Sequence, residues 1–254
     1  MSQDRRPLIA GNWKINVLKA DGLSLAGTLA QNMKGQSDAV FDMVVCPSFT
    51  LLTEVGNAIA DSAIALGAQN CHAQEKGAHT GDVSPTMLEE MGCQYVIVGH
   101  SERRADHGET NGGVKAKATA LQALGLTAII CIGETEEEFD AGQTLEVIKT
   151  QLTGSLPGDS KAANTVIANE PVWAIGTGRT PTLEEVQDVH ALIRGELTKA
   201  LGEEPANGIR VLYGGSMSPE NARDLLALAD VDGGLIGTSS LKAEDFWAIA
   251  QSCV

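Results

Sequence analysis

Aromatic side chains make up only 4% of this 254-residue chain. The core volume must then come from Ala, Gly, Val, Leu and Ile, as buried parallel strands and small-residue helices require. Basic residues are scarce too: 18 Lys and Arg stand against 33 Asp and Glu, for a formal net charge of −15. A chain this acidic repels nucleic acid and anionic membranes, so neither is an expected partner. A small anionic substrate stays open to it, because a site can be locally positive. The cysteines (Cys46, Cys71, Cys93, Cys131 and Cys253) form no CxxC pair. They read as reduced, mostly buried thiols of an intracellular protein. The histidines show no HxxxH or HxH spacing, so no metal centre is expected. The N-terminal "MSQDRRPLIAGNWKIN" has too short an apolar run for a signal segment, and no stretch approaches membrane-spanning length. The expected location is the cytoplasm.

What is present is a recurrence. Short apolar runs appear at 7–11 (PLIAG), 41–46 (FDMVVC), 63–70 (AIALGAQN), 94–99 (QYVIVG), 127–133 (TAIICIG), 165–169 (TVIAN), 209–215 (IRVLYGG) and 233–237 (GGLIG). They are near-continuous rather than alternating, as strands buried on both faces are. Helical patterns lie between them. "SFTLLTEVGNAIA" opens with Ser48, and "SPTMLEEMG" has Ser84, then Pro85 at the first helical position, and ends on Gly92. "ETEEEFDAGQTLEVIKTQL" reads as one helix with acids in its first turn. Thr182 and Glu185 form a capping box, and "MSPENARDLLAL" repeats the Ser–Pro start. Eight strand–helix units with no hairpin signal predict an α/β fold: eight parallel strands closed into a (β/α)₈ barrel, one domain over residues 1–254. An open doubly wound sheet is the rival, but "GNWKIN" follows the first strand where a dinucleotide fingerprint would stand. The long connection 69–84 is too long for an idle loop in a compact domain and reads as functional or as an interface.

Active groups of such barrels sit at the C-terminal ends of the strands. There the sequence places Asn12 and Lys14 after strand one, His100, Ser101 and Glu102 after strand four, and Glu170 after strand six. Singly, each has an ordinary reading: a surface lysine, a structural histidine, a salt-bridged acid, a helix-cap acid. Together at one end they suit proton abstraction next to a carbonyl. A partly desolvated carboxylate takes the proton, and the enediolate that forms needs donors (His100, Asn12) and a cation (Lys14). "YGGSMSP" offers Ser216, and "GGLIGTSS" offers the N–H groups of Gly237 and Thr238, where barrels bind anions.

"AGNWKIN", "GAHTGDVSPTML", "VIVGHSERR", "CIGET", "NEPVWAIGTG", "LYGGSMSPENA" and "LIGTSSLK" resemble, in order along the whole chain, the motifs of the triosephosphate isomerase family. The resemblance implies the TIM-barrel fold and a cofactor-free interconversion of dihydroxyacetone phosphate and D-glyceraldehyde 3-phosphate, as in glycolysis and gluconeogenesis. Glu170 would be the base, His100 the neutral electrophile, Lys14 and Asn12 the electrostatic partners, and Glu102 a buried supporting acid. Gly176, Ser216, Gly237 and Thr238 fall on phosphate-binding positions. Pro171, Val172 and Trp173 would form one hinge of a lid, and Arg179, Thr180 and Pro181 the other. The resemblance further implies a homodimer in which Thr80 reaches the partner's site.

Three departures stand out. Asn169 replaces a usual tyrosine, Thr238 replaces a glycine and would crowd the phosphate wall, and His79 and His107 replace aromatics, reading first as packing substitutions. The same residues could isomerise a four-carbon ketose phosphate, or the barrel could bind a sugar phosphate without turning it over. A Schiff-base lyase fits less well, since strand six ends in Glu170 rather than lysine.

Overall fold

All eight apolar runs become parallel strands in a computed structural model, which describes residues 5–36, 38–174 and 179–253. The strands are β1 (Leu8–Asn12), β2 (Asp42–Cys46), β3 (Ile64–Ala68), β4 (Tyr95–Val98), β5 (Thr127–Ile132), β6 (Thr165–Asn169), β7 (Arg210–Tyr213) and β8 (Gly233–Ile236). They are ordered β1 to β8 around a closed barrel, sealed where Leu8 pairs with Gly233. Closure removes every sheet edge.

The unbroken apolar runs have a simple cause. Successive side chains of a strand point to opposite faces. Leu8, Ala10, Val44, Cys46, Ile97, Ile129, Cys131, Val166, Ala168, Leu212 and Leu235 pack with one another as one buried cluster, filling the barrel. The alternate residues, such as Ile9, Val45, Val96, Ile130, Ile167 and Val211, join helix residues like Leu29, Leu121 and Phe246 in a second cluster outside it. Both faces are dry, which keeps the runs almost wholly apolar, with polar residues such as Asn12 and Asn169 at the strand ends.

Local signals set several helix ends. Ser84 accepts the Met87 N–H at 3.3 Å ahead of the helix Pro85–Glu90, and both arms of the Thr182–Glu185 capping box form at the start of Leu183–Leu201. Two expectations need correction. The stretch from 136 to 155 is two helices, Glu136–Asp140 and Thr144–Ser155, because Gly142 turns left-handed (φ 69°) between them. The Ser218–Pro219 pair starts no helix: Ser218 N–H donates to Asn221 Oδ1 at 2.8 Å, a side-chain turn, and the helix begins at Ala222.

Among the described residues, no helix is long and apolar enough to cross a membrane. All five cysteines are buried and unpaired.

Candidate active site

Strand parity delivers two of the site residues. Leu8 and Ala10 face the barrel interior, and Asn12 is next in that register; Val166 and Ala168 are likewise followed by Glu170. Asn12 and Glu170 are both buried at the mouth. Two glycines make room for the acid. A Cβ on Gly133 would lie 1.8 Å from the Glu170 carbonyl oxygen, and one on Gly214 would lie 2.7 Å from Glu170 Cγ.

His100 caps the helix Ser101–His107. Gly99 before it takes φ 69°, which turns the chain sharply off β4, and a Cβ there would strike Val114 at 2.7 Å. His100 Nδ1 accepts the Glu102 N–H at 3.2 Å, so the neutral ring carries its proton on Nε2. That nitrogen lies 2.8 Å from Glu170 Oε1, and Ser101 N–H donates to Glu170 Oε2 at 3.1 Å.

Burial alone would raise the pKa of Glu170. The His100 ring, the Ser101 N–H and the Cys131 thiol outweigh it and hold the carboxylate below its ordinary value. Burial disfavours an imidazolium at His100, but the touching carboxylate outweighs that and raises its pKa. The raising is conditional on this contact. When Glu170 moves off, burial and Lys14 lower the pKa against only the Glu102 charge, and an imidazolium has no lone pair for the Glu102 N–H.

Lys14 is the one described residue other than glycine with a left-handed backbone, φ 51°. Such a conformation costs roughly 1–3 kcal/mol and persists only where neighbours enforce it. Here Lys14 N–H donates to Asn12 Oδ1 at 3.1 Å, and Gln69 Nε2 donates to the Lys14 carbonyl at 2.8 Å and to that of Cys46 at 2.9 Å. The Lys14 ammonium pairs with Glu102. Glu102 does not fit the expectation of a buried acid: its side chain is 53% exposed, because the first turn of its helix faces outward.

Asn12, Lys14, His100 and Glu170 line one cavity of about 310 Å³, together with Ser216, Gly237 and Thr238 from the ends of β7 and β8. Ser239 Oγ donates to the Met217 carbonyl at 2.9 Å and ties the two glycine-rich loops together. Thr238 is exposed and lines this same cavity. Gly176 lies outside the described residues.

Two of the residues expected in the hinges, Trp173 and Arg179, meet the helix Glu136–Asp140. Trp173 Nε1 donates to buried Glu134 Oε1 at 2.7 Å, and its ring stacks on Phe139 at 4.0 Å. Arg179 lies over both rings, 5.2 Å from each centroid, and reaches Glu136 at 2.9 Å. Pro171 is buried, Val172 and Pro181 are half-buried and Thr180 is exposed. Asn169 is buried beside Pro171 and Trp173, and its Oδ1 has no partner among the described residues.

Sequence reading missed Gln69, Glu134 and Phe139. "CIGET" held Glu134 in plain sight, but its hydrogen bond to Trp173 spans 39 positions. Thr80 is exposed on the long loop. His79 and His107 are exposed as well, so neither packs a core; His79 stacks instead on His72, centroids 3.9 Å apart. Among the described residues, His72, His79 and Asp82 form the one grouping able to hold a metal, and none of them lines the mouth cavity.

A family-wide sequence profile described as triosephosphate isomerase matches residues 7–253. The triosephosphate isomerase of Afipia carboxidovorans is 54% identical over 253 residues, covering 98% of each chain. That of Rhodopseudomonas palustris is also 54% identical, over 250 residues and 98% of each chain. The crystal structure of triosephosphate isomerase from Bartonella henselae superposes with a TM-score of 0.89 at 42% identity, over 97% of this chain and 98% of that one.

Proposed function

The chain belongs to the triosephosphate isomerase family, and from that premise we propose how its barrel mouth interconverts dihydroxyacetone phosphate and D-glyceraldehyde 3-phosphate. It is an intramolecular aldose–ketose isomerase. Glu170 takes a proton from the carbon beside the carbonyl and returns it to the neighbouring carbon. His100, through Nε2–H, and Asn12 donate to the two oxygens of the enediolate, and Lys14 holds its charge. The observation that carries this reading is the convergence of all four side chains on one cavity.

The phosphate lies against Ser216, Gly237 and Thr238, whose loops offer backbone N–H groups to an anion. Gly176 completes the anion site from the lid. Closing the lid, hinged at Pro171–Trp173 and at residues 179–181, excludes water, which would otherwise favour loss of phosphate from the enediolate. This family is itself the usual illustration of such gating. Glu170 adjoins the hinge, so closure also lifts the base off His100 and toward substrate.

A homodimer completes the reading, with Thr80 reaching the partner's site. Ile15 (94% exposed) and Leu18 (79% exposed) support it, as do Phe49 and Met87, which share an apolar groove with Val83 at the end of the long loop. A monomer rarely leaves that much apolar surface bare. The cytoplasm is the compartment in keeping with five free thiols.

A coupled isomerase assay on the purified protein, with triose and tetrulose phosphates side by side, tests the function. We expect the triose to have the higher kcat/KM. A higher value on the tetrulose phosphate would overturn the substrate assignment.

A further inference from the structure

We propose that a cavity behind Pro171 and Trp173, between the ends of β6 and β7 and the helix Leu183–Leu201, binds a small arylalkyl ammonium ion. The cavity measures about 200 Å³ and shares no lining residue with the mouth. The surface assigned above to the homodimer is carried by the segments after β1, β2 and β3. In a closed barrel ordered β1 to β8, the sector of β6 and β7 lies across from β2 and β3. The cavity is therefore remote from that interface, and the proposal stands apart from the isomerase reading.

Three polar side chains line the cavity, each at most 3% exposed. Each keeps one atom without a partner among the described residues: Glu134 Oε2, Asn169 Oδ1 and the Tyr213 hydroxyl. Asn169 and Tyr213 are register partners on β6 and β7, so their side chains leave the same face of the sheet. Glu134 meets them from the segment after β5. Its Oε1 takes the donors at hand, Trp173 Nε1 at 2.7 Å and Thr144 Oγ1 at 3.4 Å, which leaves Oε2 bare. Buried polar atoms of a native fold are rarely left so. Acceptors without donors around a cavity call for a ligand that brings N–H groups.

Charge and shape select that ligand. The ionisable side chains lining the cavity are Glu134, Glu185, Asp188 and Tyr213, and none is a cation. Arg179 lies nearby over the Phe139 and Trp173 rings, but it is paired with Glu136 and Asp140. Burial raises the pKa of Glu134 against its own N–H, Trp173 and Thr144, and an ammonium beside it would bring the pKa down. The remaining walls are apolar, chiefly Phe139, Leu145, Trp173, Pro181, Val186 and Val189. An apolar cavity of about 150 Å³ takes benzene, so this one holds a six-membered ring with a short arm. An ammonium on that arm carries three donors, matching the three bare atoms in number.

Methyl-selective NMR on the full-length protein, titrated with benzylammonium, tests it. We expect saturable shifts at Leu145, Val186 and Val189, with the same midpoint when inorganic phosphate is present. Benzyl alcohol and benzoate should bind at least about tenfold more weakly, as loss of a charge-assisted bond implies. Glu134→Gln should weaken benzylammonium by a similar factor, and Asn169→Tyr should fill the cavity and abolish binding. Asp188→Lys, on the exposed rim, reverses a charge without disturbing the core and should also weaken it. Far-UV circular dichroism checks that the variants fold. No saturable shift at millimolar ligand, equal binding of the alcohol or benzoate, binding unchanged in the variants, or competition by phosphate would each overturn the assignment.

Discussion

His100 Nε2 stands 2.8 Å from Glu170 Oε1, and both side chains are almost fully enclosed. The acid of the pair is bonded to the donor that, in our reading, polarises the substrate. In this conformation the two groups satisfy each other. Substrate must part them, taking the histidine N–H for its oxygen and the carboxylate for its carbon-bound proton.

Reach is therefore the first thing to perturb. Glu170→Asp shortens the acid by one methylene, a withdrawal of about 1 Å, which costs on the order of 100-fold in kcat where geometry limits the chemistry. KM should change little, because the anion loops are untouched. Steady-state kinetics checks it, and near-wild-type turnover would remove Glu170 from the role of base.

The second prediction concerns the histidine. Its pKa is held up by the carboxylate beside it, against burial and Lys14. Glu170→Gln deletes the largest raising influence and leaves burial and Lys14 opposed only by the more distant Glu102 charge. The His100 imidazole should then titrate at lower pH than in the wild type, followed by nitrogen NMR. An unchanged midpoint would show that the carboxylate does not control the ring.

Trp173 and Glu134 set the third. Trp173→Phe keeps the stack on Phe139 but removes the indole N–H from Glu134 Oε1, while Oε2 is already unpartnered among the described residues. Burial has raised the pKa of Glu134, and loss of this donor should raise it further. Urea unfolding at neutral pH should show a loss of about 1–2 kcal/mol. Adding Glu134→Gln, which removes the charge left without its donor, should recover part of it. Equal stability of all three proteins would show that the indole bond is not holding the hinge.

A fourth follows from His190, which is wholly buried away from the mouth. Its Nδ1–H donates to the Asp230 carbonyl at 3.1 Å, and its Nε2 has no partner among the described residues. Burial pushes its pKa down to about 4 from 6.5. As pH falls below 6.5, the unfolded chain takes the proton before the folded one does, so stability falls with acidification. The loss between pH 7.5 and 5 should be on the order of 2 kcal/mol. His190→Gln should flatten that part of the slope in urea unfolding. An identical slope in the variant would mean that the ring is charged, or solvated, in the folded state.

Much of this could be read along the chain because it is local. A strand buried on both faces must be mostly apolar, so the eight runs announced eight strands, with boundaries off by two residues at most. Ser84, Thr182 and Glu185 act within a single helical turn, where spacing alone fixes who meets whom. The break at Gly142 was hidden by helical composition on either side, and the turn at Ser218 by a Ser–Pro pair that also reads as a helix start. The exposure of Glu102 was hidden because helix rotation about its own axis is set by packing.

The sequence by itself determined the barrel and which polar groups stand at its strand ends, since periodicity and strand-end position are properties of neighbours along the backbone. Only the tertiary structure decided who touches whom: Glu170 on His100, Trp173 on Glu134, Gln69 holding the strained Lys14, His72 against His79. These contacts join segments that the chain keeps apart, and barrel closure together with the loop folds sets their separations.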